Sequence, residues 1–221
     1  MKRALGAWAL ALWALCGALP ARAATDAGRE LRLELALIAG DARQLVEPAK
    51  SARRREGLSE RVRSGLGTLA IEARQAAQAD GRGDPQLAAA LGELSGLFTA
   101  GKLPEFAQAA AQLAAAYPLD LSYFEPLAAT APRIEKGGSI YRRYCIGCHA
   151  SPDPRAANPA PDLFRTARTE PRAEFLARLL GGIHGDRATT LENPFSDEEL
   201  ASLAAYFLAG KDRPPASGSK R

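Results

Sequence analysis

The sequence predicts an all-α protein, and three observations carry that prediction. Valine, a strand former, occurs only at positions 46 and 62. Alanine and leucine, which favour helices, dominate the 221 residues. Apolar residues recur at three- and four-residue steps through most of the chain, the period of a helix face rather than the alternation of a strand. The length suits one or two domains of ordinary size.

The N-terminus reads as a targeting segment. Lys2 and Arg3 precede an uncharged apolar run from Ala4 to Leu19, and Ala21-Arg22-Ala23 follows with small residues around a cleavage point. Residues 1–23 are therefore expected to be a secretory signal peptide, outside the fold. Cys16 would leave with it, and Leu15 before it does not suit a lipoprotein signal. No later stretch is apolar enough for a membrane span. The net charge of +4 drops to +1 once Lys2, Arg3 and Arg22 are removed, too little to suggest nucleic acid as a partner.

Residues 24–117 read as an antiparallel helical bundle. Leu31, Leu35 and Ile38 form one apolar stripe. Val62, Leu66, Leu69 and Ala73 form a second, Leu87, Leu91, Leu94 and Phe98 a third, and Leu103, Phe106, Ala110 and Leu113 a fourth. Each stripe predicts one buried face on one helix. Asp84-Pro85 is a helix start, an acidic N-cap before proline at the first helical position. Gly101 and Pro118 are stops. Short turns between four helices make an antiparallel bundle the default. Lys50, Arg53, Arg54, Arg55, Arg61 and Arg63 form a basic run, but Glu47, Glu56 and Glu60 are interleaved with it, so a solvated helix face is expected. This half has no His, Cys or Met, and so none of the usual soft or imidazole metal ligands. Pro118, Pro126 and Pro132 mark residues 118–132 as a linker.

The chemistry is concentrated in Cys145-Ile146-Gly147-Cys148-His149. A C-x-x-C-H run is the attachment pattern of c-type haem. Two thiols three apart on a helical turn face one way, towards the two vinyl groups on one porphyrin edge, and the next residue brings an imidazole under the iron. A thiol redox pair would sit near a βαβ pattern, and none is visible. A zinc site would need four ligands. His184 would have to be the fourth, and Cys148 and His149 are adjacent, which makes joint ligation of one zinc awkward. One motif predicts one covalently attached haem c. Both mature cysteines are used, so no disulfide is expected.

Residues 133–211 resemble the class I cytochrome c domain. Gly137 and Tyr141 precede Cys145 at four-residue steps, like the Gly and aromatic of that family's first helix. Ser196-Asp197-Glu198-Glu199 opens a last helix with a capping box, and Leu200, Leu203, Ala204 and Phe207 form its apolar face. Pro161 and Leu163 fall where the family has a Pro-x-Leu loop. The resemblance implies that Gly137 lets the last helix approach closely. It also implies that the Pro161 carbonyl accepts the Nδ1–H of His149, and that Tyr141, Pro161 and Leu163 belong to the haem environment. Tyr141 and Phe207 are expected to be core residues. Residues 212–221 are expected to be a disordered tail.

The chain departs from the family at the sixth iron position. Family members usually place a Met there, and Met1 is the only methionine in this sequence. The corresponding loop, 180–195, contains His184 between Gly182 and Gly185. His184 is therefore the expected second axial ligand. Two alternatives stay open: an iron that is five-coordinate or holds water, and ligation by Asn193 or a lysine such as Lys211. The implied function is an electron carrier rather than an enzyme, located in the periplasm, with Arg142 and Arg143 available to steer an acidic redox partner. A haem protein with an open iron that binds a small gas or has weak peroxidase-like activity is the alternative. So is a haem-bearing accessory subunit of a larger redox complex.

Overall fold

The structure is a computed structural model describing residues 21–79, 81, 83–124, 129–184, 190–191 and 193–209. The expected signal peptide lies outside the described residues up to position 20, and the expected tail at 212–221 lies wholly outside them. Among the described residues, no helix is long and apolar enough to cross a membrane.

The first half consists of α1 (Ala21–Leu45), α2 (Ala52–Ala79), α3 (Pro85–Thr99) and α4 (Leu103–Ala116). Each packs on two others, α1 on α2 and α4, and α3 on α2 and α4, which closes a four-helix bundle. Asp41 meets Arg61 while Ile38 lies against Gly65, so α1 and α2 run antiparallel. Asp84 caps α3, accepting from the backbone N–H groups of Gln86 and Leu87 at 3.0 and 2.9 Å. Its other carboxylate oxygen accepts from the Tyr117 hydroxyl at the far end of α4, at 2.6 Å. Gly101 turns the chain between α3 and α4 at φ +70°, a conformation that favours glycine.

Helix α1 departs from the expectation of one apolar face. Leu31, Leu35, Ile38, Ala42 and Leu45 face the bundle core, while Leu33 and Leu37 are buried in the core of the second half. With its first stripe on α2 and α4 and its second on the second half, α1 belongs to both cores. The segment 118–132 is packed over its described part: Phe124, in the short turn Ser122–Phe124, is buried against the second core, and Leu119 and Leu121 lie against it.

The second half contains α5 (Ala131–Ile140), a wide π turn over Tyr141–Cys145, the single turn α6 (Ile146–His149), α7 (Leu163–Thr169), α8 (Arg172–Gly181) and α9 (Asp197–Ala209). A two-residue antiparallel ladder, β1 (Ile183–His184) and β2 (Thr190–Leu191), sits between α8 and α9. Strands this short show no alternation, so the sequence pattern does not announce them. Helices α5 and α9 cross at Gly137. A Cβ there would stand 2.7 Å from the Ser202 carbonyl carbon and 2.8 Å from the Tyr206 Cβ, and closer still to the Ser202 carbonyl oxygen. At α9 the Glu199 carboxylate accepts from the Ser196 N–H at 3.0 Å, one arm of the expected capping box. The other arm differs: the Ser196 hydroxyl donates to the same carboxylate, at 2.9 Å, rather than accepting from the helix backbone.

Charged groups join the halves behind these apolar contacts. Glu174 on α8 pairs with Arg43 at 3.0 Å and lies so close to Gly40 that a Cβ there would be 2.6 Å from its carboxyl carbon. Arg178 on α8 pairs with Asp41, which Arg61 meets from the other side. The basic run therefore divides. Arg53, Arg55 and Arg63 are exposed as expected of a solvated face, but Arg54 and Arg61 are drawn inward, because their partners stand on α1 and in the second half.

Candidate haem site

The site starts where α5 widens. The Ile146 N–H bonds to the Tyr141 carbonyl five residues back, and the π turn it closes ends at Cys145. Such turns interrupt the regular helical register and recur at functional sites. Tyr141, at its start, is buried edge-on against Phe164 and Phe207, with ring centroids 5.4 and 5.5 Å away. Phe164 and Phe207 meet at 5.2 Å, so residues from the π turn, α7 and α9 share one aromatic cluster beneath the motif.

Cys145 is half-buried against this core and Cys148 is exposed; both are free thiols. Burial, with a smaller contribution from Cys148, pushes the Cys145 thiol up to about 11. Between them, a Cβ on Gly147 would meet nothing within 4 Å, so the motif faces open space. His149 Nδ1 lies 2.6 Å from the Pro161 carbonyl oxygen. A carbonyl only accepts, so the proton sits on Nδ1 and the Nε2 lone pair is left for a ligand bond. Burial lowers the pKa of His149, against the smaller opposing pull of the Pro161 carbonyl and of Asp162, and so favours the neutral ring that binds metal. Two unpaired thiols and an imidazole with a free Nε2, on one turn beside open space, are the donor set haem c requires.

The Pro161-to-Leu163 loop is held from its far end. Asp162 caps α7, accepting from the N–H groups of Phe164 and Arg165, each at 3.1 Å. The acid directly before the Leu163-Phe164 run is the signal that marks this cap in the sequence. Pro161 is exposed and Leu163 is half-buried against the core.

The backbone of His184 is in β1, opposite Thr190, and its side chain lies outside the described residues. Lys211 also lies outside them. Asn193 is described, and its amide is engaged with backbone groups. Its amide donates to the Leu179 carbonyl at 2.6 Å and its Oδ1 accepts from the Phe195 N–H at 3.0 Å. Both ends of the amide are spent closing α8 and starting the approach to α9. Arg142 and Arg143 are exposed next to the motif, and the Arg143 guanidinium lies 5.3 Å from the ring centre of Tyr144, itself 59% exposed.

These features define a class I cytochrome c domain. Residues 132–207 match the family described as cytochrome c oxidase, cbb3-type, subunit III, and this segment, about a third of the chain, is a haem c domain of the electron-transfer kind. Among curated proteins and among solved structures, nothing matches the chain.

Proposed function

We propose that the protein is a periplasmic mono-haem c-type cytochrome with bis-His ligation, carrying single electrons between redox partners. The observation that carries this reading is the Cys145–His149 turn, with His149 Nδ1 committed to the Pro161 carbonyl inside a cytochrome c domain. Haem c supplies a reversible one-electron change at iron when bound. Cys145 and Cys148 would hold it through their Sγ atoms, and His149 Nε2 would bind its iron. The Pro161 carbonyl keeps the imidazole proton on Nδ1 and, by that hydrogen bond, raises ligand basicity. The aromatic cluster of Tyr141, Phe164 and Phe207 excludes water beneath the site.

His184 is the imidazole available in the loop where the family usually carries Met. A second imidazole in place of a thioether lowers the potential relative to Met/His cytochromes. Arg142 and Arg143 supply positive charge beside the motif, which suits an acidic partner and acts mainly on association rate. The apolar N-terminal segment suits export to the compartment where c-type haem is attached.

The test is the purified mature protein. Its mass should exceed that of the polypeptide by one haem, and the colour should survive acid–acetone extraction. Its ferrous spectrum should be low-spin and unchanged by carbon monoxide. Extractable haem would remove the attachment reading, and a high-spin spectrum shifting with carbon monoxide would replace the carrier with a gas-binding protein.

A further inference from the structure

The loop between His149 and α7 carries the Pro161 carbonyl, yet one of its anchors belongs to the other half of the protein. Asn158 Oδ1 accepts from Arg54 Nη1 at 2.5 Å, and Asn158 Nδ2 donates to the Gly57 carbonyl at 2.9 Å. Both partners are on α2. The opposite amide orientation would set Nδ2 against a guanidinium and Oδ1 against a carbonyl, so this network permits one orientation only. Arg54 is itself held by Gln44 Oε1 of α1 at 3.3 Å, and Gln44 Nε2 lies 3.4 Å from Glu174 Oε1 on α8. The absence of a side chain at Gly57 is what allows this approach. A Cβ there would stand 2.9 Å from Ala157 Cβ and 2.9 Å from Asn158 Nδ2.

From Asn158 the chain runs Pro159-Ala160-Pro161. Each proline fixes its own φ, and each restricts the residue before it to extended backbone. Asn158 and Ala160 are those preceding residues, so the four-residue stretch has little torsional freedom. With φ fixed at both prolines and the helical region closed to Asn158 and Ala160, less of a displacement at Asn158 is absorbed before the Pro161 carbonyl. That carbonyl is the group within 2.6 Å of His149 Nδ1.

We infer that α2 is a positioning element for the proximal imidazole: Arg54 and Gly57 hold Asn158, and the Pro159–Pro161 strut transmits that hold to the carbonyl that orients His149. This rests on the haem reading above. It gives the helical bundle a role at the redox centre, setting the strength of the Nδ1–H bond and the plane of the imidazole. Weakening that bond makes the ring a poorer donor to ferric iron, which raises the midpoint potential.

The test uses the full-length holoprotein and three variants. Asn158→Ala removes the anchor, Arg54→Ala removes the charged half of it, and Gly57→Ala inserts a methyl wedge while improving the helix propensity of α2. Covalent haem content, measured by mass, is recorded first; wild type without haem overturns the haem reading itself, separately from this inference. With haem attached, all three variants should raise the midpoint potential and shift the ferric haem-methyl NMR resonances, which report imidazole orientation. Arg54→Lys should move both readouts back towards wild type. Asp153→Ala, which removes the Arg155 pair and the carboxylate that accepts from the Arg155 backbone N–H in the same loop, should move neither. Lower thermal stability with unchanged potential and unchanged methyl shifts in Gly57→Ala and Asn158→Ala would overturn the inference, leaving α2 as a packing surface.

Discussion

Asp41 on α1 and Arg178 on α8 form an ion pair at 2.9 Å across the boundary between the helical bundle and the haem domain. Asp41 is 3% exposed, and Arg61 of α2 meets its carboxylate from the other side. Burial pushes the Asp41 carboxyl upward, but the two guanidinium groups outweigh it and hold the group below the ordinary carboxylate range. Replacing Asp41 by Ala removes the carboxylate that the two guanidinium groups share, but Arg178 keeps Glu174 at 2.8 Å, so the cost stays below the about 3–5 kcal/mol of leaving a buried charge uncompensated. Urea denaturation at pH 7 should show that loss as a lower midpoint. The group's folded pKa lies below its unfolded value. Its stabilisation is therefore present above pH 3.8 and lost as pH falls through the folded value.

A fragment beginning at Arg133 tests how far the haem domain depends on the bundle. It leaves behind Leu33, Leu37 and Phe124, all buried in the haem-domain core. Each buried apolar side chain of this size contributes about 1.5–3 kcal/mol. The fragment should attach haem, melt well below the full chain, and self-associate through the face that α1 covers. Calorimetry and gel filtration of the two holoproteins side by side provide the comparison.

Gly137→Ala should weaken the contact between α5 and α9. The added methyl would press on the Ser202 backbone, which cannot turn aside as a flexible side chain would. Better helix propensity at this position offsets part of the strain. A net loss of about 1–3 kcal/mol is expected. Less covalent haem should be recovered, since α5 leads directly into the attachment turn.

Glu34 on α1 and Glu72 on α2 set an opposite pH trend. Burial, then the neighbouring carboxylates, raises Glu34 from 4.5 to about 7, and burial with Glu30 does the same for Glu72. Between 4.5 and about 7 the folded chain holds protons that the unfolded chain releases, so this contribution to stability falls as pH rises through that window. Glu34→Gln keeps the neutral form at every pH. It should be nearly neutral at pH 4.5 and stabilise by about 1–3 kcal/mol at pH 8, on the scale of about 1.4 kcal/mol per pKa unit. Thermal unfolding at the two pH values would contradict this if Glu34→Gln and wild type shifted together.

His184→Ala should open the iron's second axial side. The ferric spectrum should turn largely high-spin and the ferrous protein should take up carbon monoxide. His184→Met should raise the potential if six-coordination returns, because a thioether favours ferrous iron. An unchanged spectrum in His184→Ala would remove it as a ligand.

Much of the fold was legible because helices are local. The four apolar stripes from Leu31 to Leu113 coincide with α1 to α4, and Asp84-Pro85 caps α3. The second stripe of α1 was present as Leu33 and Leu37, but a stripe does not name its partner, and that partner lies far along the chain, from Leu119 onward. The π turn over Tyr141–Cys145 and the ladder at Ile183–His184 have no periodic signature at their lengths.

The sequence by itself determined the chemistry: two thiols and an imidazole at fixed spacing, no methionine after Met1, and helix-forming composition throughout. These follow from residue identity and from interactions within one or two turns. Only the tertiary structure decided that Arg54 and Arg61 face inward, that the Asn193 amide bonds backbone groups, and that α2 holds the loop between His149 and α7. The physical reason is separation along the chain. Arg54 and Asn158 lie 104 positions apart, and a hydrogen bond between them leaves no pattern in either segment until the packing of α1 against both halves brings them together.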